Sequence, residues 1–348
     1  MAYSTIPKGS LHMNPKLYTG NGSTNAITGV GFQPDWVWIK KRNGTTSHVL
    51  TDIVRGITKQ IYSNDTQAEN TNSDTITAIG SDGFTLGNRA DVNNNSDTYV
   101  AWNWKANGAG SANTAGSINS TVSVNTTAGF SVVSYTGDGY AGATVGHGLG
   151  AIPKFIIVKK LSGADSWTTY HASLGATKKI NFDTGAAGTQ SDRWNDTSPT
   201  DTLFSIGTNG SVNASGATYI AYCFADVQGY SKFSSYVGNG STDGTFIYTG
   251  FKPSFVLIKN SSATADWCLR DDKRSPINVT QDTLFPNTAD SESTGGTSYD
   301  IDFLSNGFKI RSTSSRFNTN GNTYIYMAFA ENPFVATSGT SAIPVTAR

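Results

Sequence analysis

Only two cysteines, Cys223 and Cys268, occur in 348 residues. They stand at non-matching places in the pattern described below, which excludes a repeated disulfide framework. Two buried thiols acting as small hydrophobes are expected, with one bridge between domains as the alternative. Charge is scarce as well: charged residues make up 14%, against roughly 25% in ordinary soluble domains. The 25 acids balance 25 bases, so neither nucleic acid nor an anionic membrane surface is an expected partner. No run of about eighteen apolar residues exists, which excludes a membrane-inserted helix. The start, MAYSTIPKGS, lacks the basic and apolar segments of a secretion signal. Action outside a cell would then require release by another route, such as lysis. Sustained apolar positions at i, i+3, i+4 and i+7 are missing too. Short helical turns are expected only near Ala172–Thr177 or Ile53–Lys59.

What the chain has is a pattern repeated three times. LYTGNGSTNAITGVGFQPDWVWIK begins at Leu17, SYTGDGYAGATVGHGLGAIPKFIIVK at Ser134 and SYVGNGSTDGTFIYTGFKPSFVLIK at Ser235. Each opens on aromatic-x-Gly-Asn/Asp-Gly and reaches a proline, then a β-branched and aromatic run, then a lysine. The step from proline to lysine is six in each: Pro34 to Lys40, Pro153 to Lys159, Pro253 to Lys259. Eight residues further stand His48, Trp167 and Trp267. Then come DGFTLG, LFSIG and NGFKIR, with Phe84, Phe204 and Phe308, and the closing runs TYVAWNWKA, TYIAYCFAD and TYIYMAFAE. Four blocks in one order mark three homologous domains, and residues recurring in all three belong first to a scaffold.

The 37 glycines, with Asn and Ser crowded between apolar runs, supply the positive-φ corners that tight turns need. The expected fold is therefore all-β: three tandem antiparallel β-sandwich domains of jelly-roll or concanavalin-like type. Runs such as Trp36–Lys41 are apolar on both faces of a period-2 pattern. That suits a strand covered on both sides or lying at a domain contact. The reading divides the chain into an N-terminal arm (1–16), repeat 1 (17–106), a linker (107–125), repeat 2 (126–229), repeat 3 (230–333) and a C-terminal tail (334–348). The linker, NGAGSANTAGSINSTVSVN, is nearly chargeless and reads as partly flexible, its later half able to form an edge strand. The arm reads as a frayed terminus or as an anchor that orders on a partner.

Candidate sites are few. Trp167 and Trp267 align with His48, and a position that exchanges Trp for His suggests partial exposure. Exposed aromatics are platforms for sugar rings or partner surfaces. Trp194, in SDRWNDTSP, has no counterpart in the other copies and reads as an exposed contact. These three are the candidate ligand-binding residues. Trp102 and Trp104 read as core. Asp91 to Asp97 resembles the first half of a calcium loop but lacks its glycine and closing glutamate, so a solvated turn is expected. The four histidines have no metal-ligand spacing. Asp52 and Asp271 align with His171, a change of kind that a catalytic pair would not survive, although one domain could carry such a pair alone. Asp271 and Asp272, among Arg270, Lys273 and Arg274, read as a surface charge cluster. No catalytic residue, metal or cofactor is expected.

YTGNGSTNAITGVGFQPDWVWIKKR, the DIVRG of Asp52–Gly56, SDGFTLG, TYVAWNWKANG and YSKFSSYVGNGSTDGTFIYTGFKPSFVLIK together resemble a family of virion proteins of marine tailed bacteriophages. The resemblance runs over nearly the whole chain. It implies tail-fibre or appendage proteins with concanavalin-like β-sandwich domains, made in the host cytoplasm, built into the virion and released on lysis. It implies no catalytic residues. The expected function is a non-enzymatic virion structural protein contributing to host-surface attachment. Its expected partners are other virion proteins, met through the N-terminal arm, and a host surface glycan or protein. A homotrimer is also expected. The alternatives are a capsid or tail decoration protein, a polysaccharide depolymerase and a free carbohydrate-binding module.

Overall fold

The computed structural model describes residues 4–182 and 188–333. The chain is all-β, with helix, among the described residues, only in short turns such as Ala90–Asn93 and Gly210–Asn213. The segments near Ile53–Lys59 and Ala172–Thr177 are turns rather than helices. The tail at 334–348 and the first three residues of the arm lie outside the described residues.

One strand order recurs three times. An opening strand (Met13–Thr19, Phe130–Thr136, Ser231–Val237) pairs with a closing strand (Thr98–Trp104, Thr218–Phe224, Thr323–Pro333). The closing strand pairs with a central strand (Trp36–Lys41, Phe155–Lys160, Phe251–Asn260), which pairs with a flanking strand (Val49–Asp52, Thr168–His171, Cys268–Asp271). All these pairs are antiparallel. A small outer sheet accompanies each: Asn25–Thr28 with Gly83–Leu86, Ala143–Gly146 with Leu203–Ile206, and Phe246–Tyr248 with Gly307–Ile310. The 107–125 stretch, read as a linker, carries two strands, Ser111–Asn113 and Ser120–Asn125, that extend the second large sheet. Only the expected strand in its later half was legible, because its Gly- and Ser-rich first half gives no strand signal.

The opening motif builds a corner. Tyr18 stacks on Tyr99, Tyr135 on Tyr219 and Tyr236 on Tyr324, each pair 5.1 Å between ring centroids. Their hydroxyls donate to the carbonyls of Val92, Val212 and Phe317. Next to them, a Cβ on Gly20 would lie 2.1 Å from the Asn94 carbonyl oxygen, one on Gly137 2.6 Å from that of Ala214 and one on Gly238 2.4 Å from that of Thr319. That close approach is why aromatic-x-Gly recurs. A buried asparagine locks the corner. The Asn93 side-chain oxygen accepts from the Asn21 N–H, and its amide donates to the Ser23 and Gly87 carbonyls. Asn213 and Asn318 repeat this arrangement.

Each large sheet is apolar on both faces because both are covered. In the first, Val37, Ile39, Tyr99 and Ala101 pack beneath the outer sheet with Ile27, Phe84 and Leu86. The other face carries Trp36, Trp38, Trp102 and Trp104, and it meets the matching faces of the other two sheets in one common core. There Trp36 lies 4.3 Å from Tyr222, Trp104 5.6 Å from Phe255, and Phe155 6.1 Å from Phe233, between ring centroids. Ile6 is fully buried in the same core, and Met13–Lys16 lies within the opening strand. The arm read as an anchor for a partner is therefore part of the fold from Ser4 onward, tied down by an apolar side chain that a short polar segment does not advertise.

A core shared by three sheets couples their unfolding. Urea unfolding followed by circular dichroism and by tryptophan fluorescence is expected to give one coincident transition. Separate transitions would show that the units fold independently. Trp36→Ala is expected to lower stability by about 3–5 kcal/mol while leaving that single transition intact.

Candidate functional site

The residues that recur in sequence meet at three junctions between the units. Lys40 Nζ donates to Thr46 O in its own loop (2.9 Å) and to Ala289 O of the third unit (3.1 Å). Lys159 donates to Asp165 O (2.9 Å) and to Thr66 O of the first unit (2.9 Å). Lys259 donates to Ala265 O. Burial pulls both Lys40 and Lys159 down to about 8. Backbone bonds follow the same course, from Asp165 N to Thr66 O and from Thr46 N to Ala289 O. These contacts run from the second unit to the first and from the first to the third, and the Trp267 indole N–H on Asn181 O runs from the third to the second, which closes a ring.

Trp167 and Trp267 belong to these junctions. The Trp167 indole N–H donates to Tyr62 O (2.9 Å) across the first, and that of Trp267 to Asn181 O (2.7 Å) across another. His48 stands at the third, its Nδ1 accepting from the Trp38 indole (2.9 Å). Trp194 packs edge-on against Tyr170, 5.7 Å between centroids, in the second unit's outer core. All three tryptophans are buried, at 4%, 1% and 1% exposure for Trp167, Trp267 and Trp194. The expected exposure is corrected for each. Where the two tryptophans donate to a carbonyl across the junction, His48 instead accepts from Trp38 of its own unit, and the polar residues around Trp194 form a turn beside it.

Of the cluster read as a surface loop, Arg270, Asp271, Asp272 and Arg274 are buried and Lys273 is exposed. Asp271 pairs with Arg274 (2.5 Å), Arg274 with Glu292 (2.7 Å), and the Trp102 indole of the first unit donates to Asp271 (2.9 Å). At the next junction Asp52 pairs with Arg55 (2.5 Å), Arg55 with Glu69 (3.1 Å), and the Tyr222 hydroxyl donates to Asp52 (2.8 Å). The third junction presents Met327 where the others have Trp102 and Tyr222, and a methionine has no donor to give. There the aspartate is His171 and the arginine is Leu174. His171 Nδ1 accepts from Ser173 N, which leaves Nε2 to donate to Tyr326 O (3.3 Å). A buried carboxylate is kept only where a cation and a cross-junction donor compensate its desolvation.

Other chemistry-bearing groups are engaged locally. Asp91 pairs with Arg89 and Asp97 with Lys41. Cys223 and Cys268 are free, buried thiols, and burial pushes both up. Among the described residues no group of three or more His, Cys, Asp and Glu is placed to hold a metal ion. A shallow groove of about 520 Å³ beside Ser4, Thr126 and Asp226 has no acid–base pair in its lining.

One surface feature escaped the sequence reading. Phe246 and Tyr248, on the edge strand of the third outer sheet, are 43% and 60% exposed, whereas Ile247 between them is buried. The matching residues elsewhere are Ala26 and Thr28, and Thr144 and Gly146. The signal was the alternation in FIY against AIT and TVG, one copy departing from the others on the outward face alone.

Asp52→Ala leaves Arg55 buried with one carboxylate fewer, and a loss of about 3–5 kcal/mol is expected in urea unfolding. Tyr222→Phe is expected to cost only about 1–2 kcal/mol. Burial holds His171 down to about 4 and His48 well below its ordinary value, Lys40 adding to the effect. Their folded values lie below the unfolded one, so the stability they carry is present above about pH 6.5 and is lost as pH falls toward 4. Unfolding at pH 5 should show a midpoint lower than at pH 7, by about 2 kcal/mol for His171 alone. His171→Gln should flatten that dependence.

No protein of curated function and no solved structure matches the chain. A family model does, over residues 8–333, and on that match the chain belongs to the family described as Domain of unknown function (DUF7483).

Proposed function

We propose that this chain is a non-enzymatic structural protein of a tailed-phage virion, of tail-fibre or appendage type, contributing to attachment at a host surface. The three units are read as tandem copies of one concanavalin-like sandwich domain. Virion membership rests on the resemblance of the repeated motifs to marine phage proteins. The observation that carries the non-enzymatic part is the fate of the recurring polar residues. Lys40, Lys159 and Lys259 are spent on loop and junction carbonyls. Asp52 and Asp271 are spent on buried arginines.

A second reading, a decoration protein seated on the capsid or tail, draws on the ring. The chain completes a three-fold arrangement by itself and fills the axis with aromatic side chains. On this reading a homotrimer would assemble through an outer surface. One chain alone offers three related junctions to a three-fold site. Mass spectrometry of purified virions should find the protein in the particle, and its absence would remove both readings. Copy number separates them: fibres carry few copies, and decoration follows capsid symmetry.

A further inference from the structure

The outer sheet of the third unit carries a face that the fold does not require. Phe246 lies opposite Lys309, which lies opposite Asp302. Tyr248 lies opposite Gly307, which lies opposite Leu304. Gly307 forms the floor between them, and the Phe246 ring leans over it: a Cβ there would come 3.2 Å from Phe246 Cε2. Charged groups stand beside the rings. Lys309 pairs with Asp243 (2.6 Å), and Arg311 with Asp302 (3.5 Å).

The size of the face limits what covers it. Three strands span about 10 Å and two residues along a strand about 7 Å, so with side-chain widths the patch is roughly 300 Å². A specific protein interface needs about 800 Å² from each partner. The patch is too small for a stable contact with a second copy or another protein, and it suits two or three sugar rings. A pyranose offers a face of C–H groups, which are electropositive and sit well on the negative face of an aromatic ring. Its hydroxyls need neighbouring donors and acceptors fixed in space, and the Lys309, Asp302 and Arg311 side chains supply both.

We propose that Phe246 and Tyr248 form a saccharide-binding platform, with Lys309 and Asp302 engaging the hydroxyls. The reading gives host-surface attachment a ligand class and rests on that function only for where the saccharide comes from. The two fail separately, since a protein absent from virions could still bind sugar. Saturation-transfer NMR on the full chain, with cellotetraose, maltotetraose and chitotetraose as probes, tests it. At least one probe is expected to bind with Kd in the range of about 0.1–5 mM, with contact to aromatic protons. A Phe246→Ala/Tyr248→Ala double variant, whose side chains face solvent, should keep the urea midpoint and lose binding at least about tenfold, or about 1.4 kcal/mol. No binding by any probe, or binding that survives the double variant, overturns the proposal. So does sedimentation showing self-association that the double variant abolishes, because the face would then be a protein contact.

Discussion

The arrangement depends on one constraint: each of three sheets is apolar on both faces and must be covered twice. An outer sheet covers one face in the ordinary manner of a sandwich. The other carries Trp36, Trp38, Trp102 and Trp104 in the first unit, and Phe155, Tyr222 and Phe224 in the second. Leaving such a face in water would cost about 25 cal/mol for each Å². Three faces turned toward one another remove all of them at once. The common core is therefore what the strands were patterned for.

The polar residues at the junctions set how the units meet. Apolar packing tolerates sliding, because it has little directional preference. Buried charges and indole N–H groups do not, because a missed partner leaves a desolvated group unpaired. Asp52 needs Tyr222, and Asp271 needs Trp102. Where the closing strand offers only Met327, a neutral histidine reaches a backbone carbonyl instead. Acid, cation and donor changed together at that junction, so the geometry persisted while the chemistry was replaced.

Much of the fold was legible in the sequence. The repeated blocks map onto opening, central and closing strands, and two-sided apolarity correctly pointed to strands with no wet face. Three things were hidden for physical reasons. A linker composition and an edge-strand composition are alike when the strand is Gly- and Ser-rich, so Ser111–Asn113 was invisible. A short polar arm conceals one anchoring residue, and Ile6 is that residue. Burial of Trp167, Trp194 and Trp267 comes from contacts distant in sequence: residue 62 for the first, 170 for the second and 181 for the third. The platform residues Phe246 and Tyr248 were overlooked because attention to what recurs discounts what one copy alone has gained.

The head-to-tail contact has a topological consequence. Such contacts between separate molecules either close into rings or propagate as filaments. Here the third unit's loop partner is supplied by the first through Lys40 and Ala289, so the last acceptor surface is already occupied by the same chain. Three units of like strand order in one polypeptide can also differ from one another, which identical separate subunits cannot do. A body with the packing of a trimer can then carry a single distinguished side, and orient itself by it.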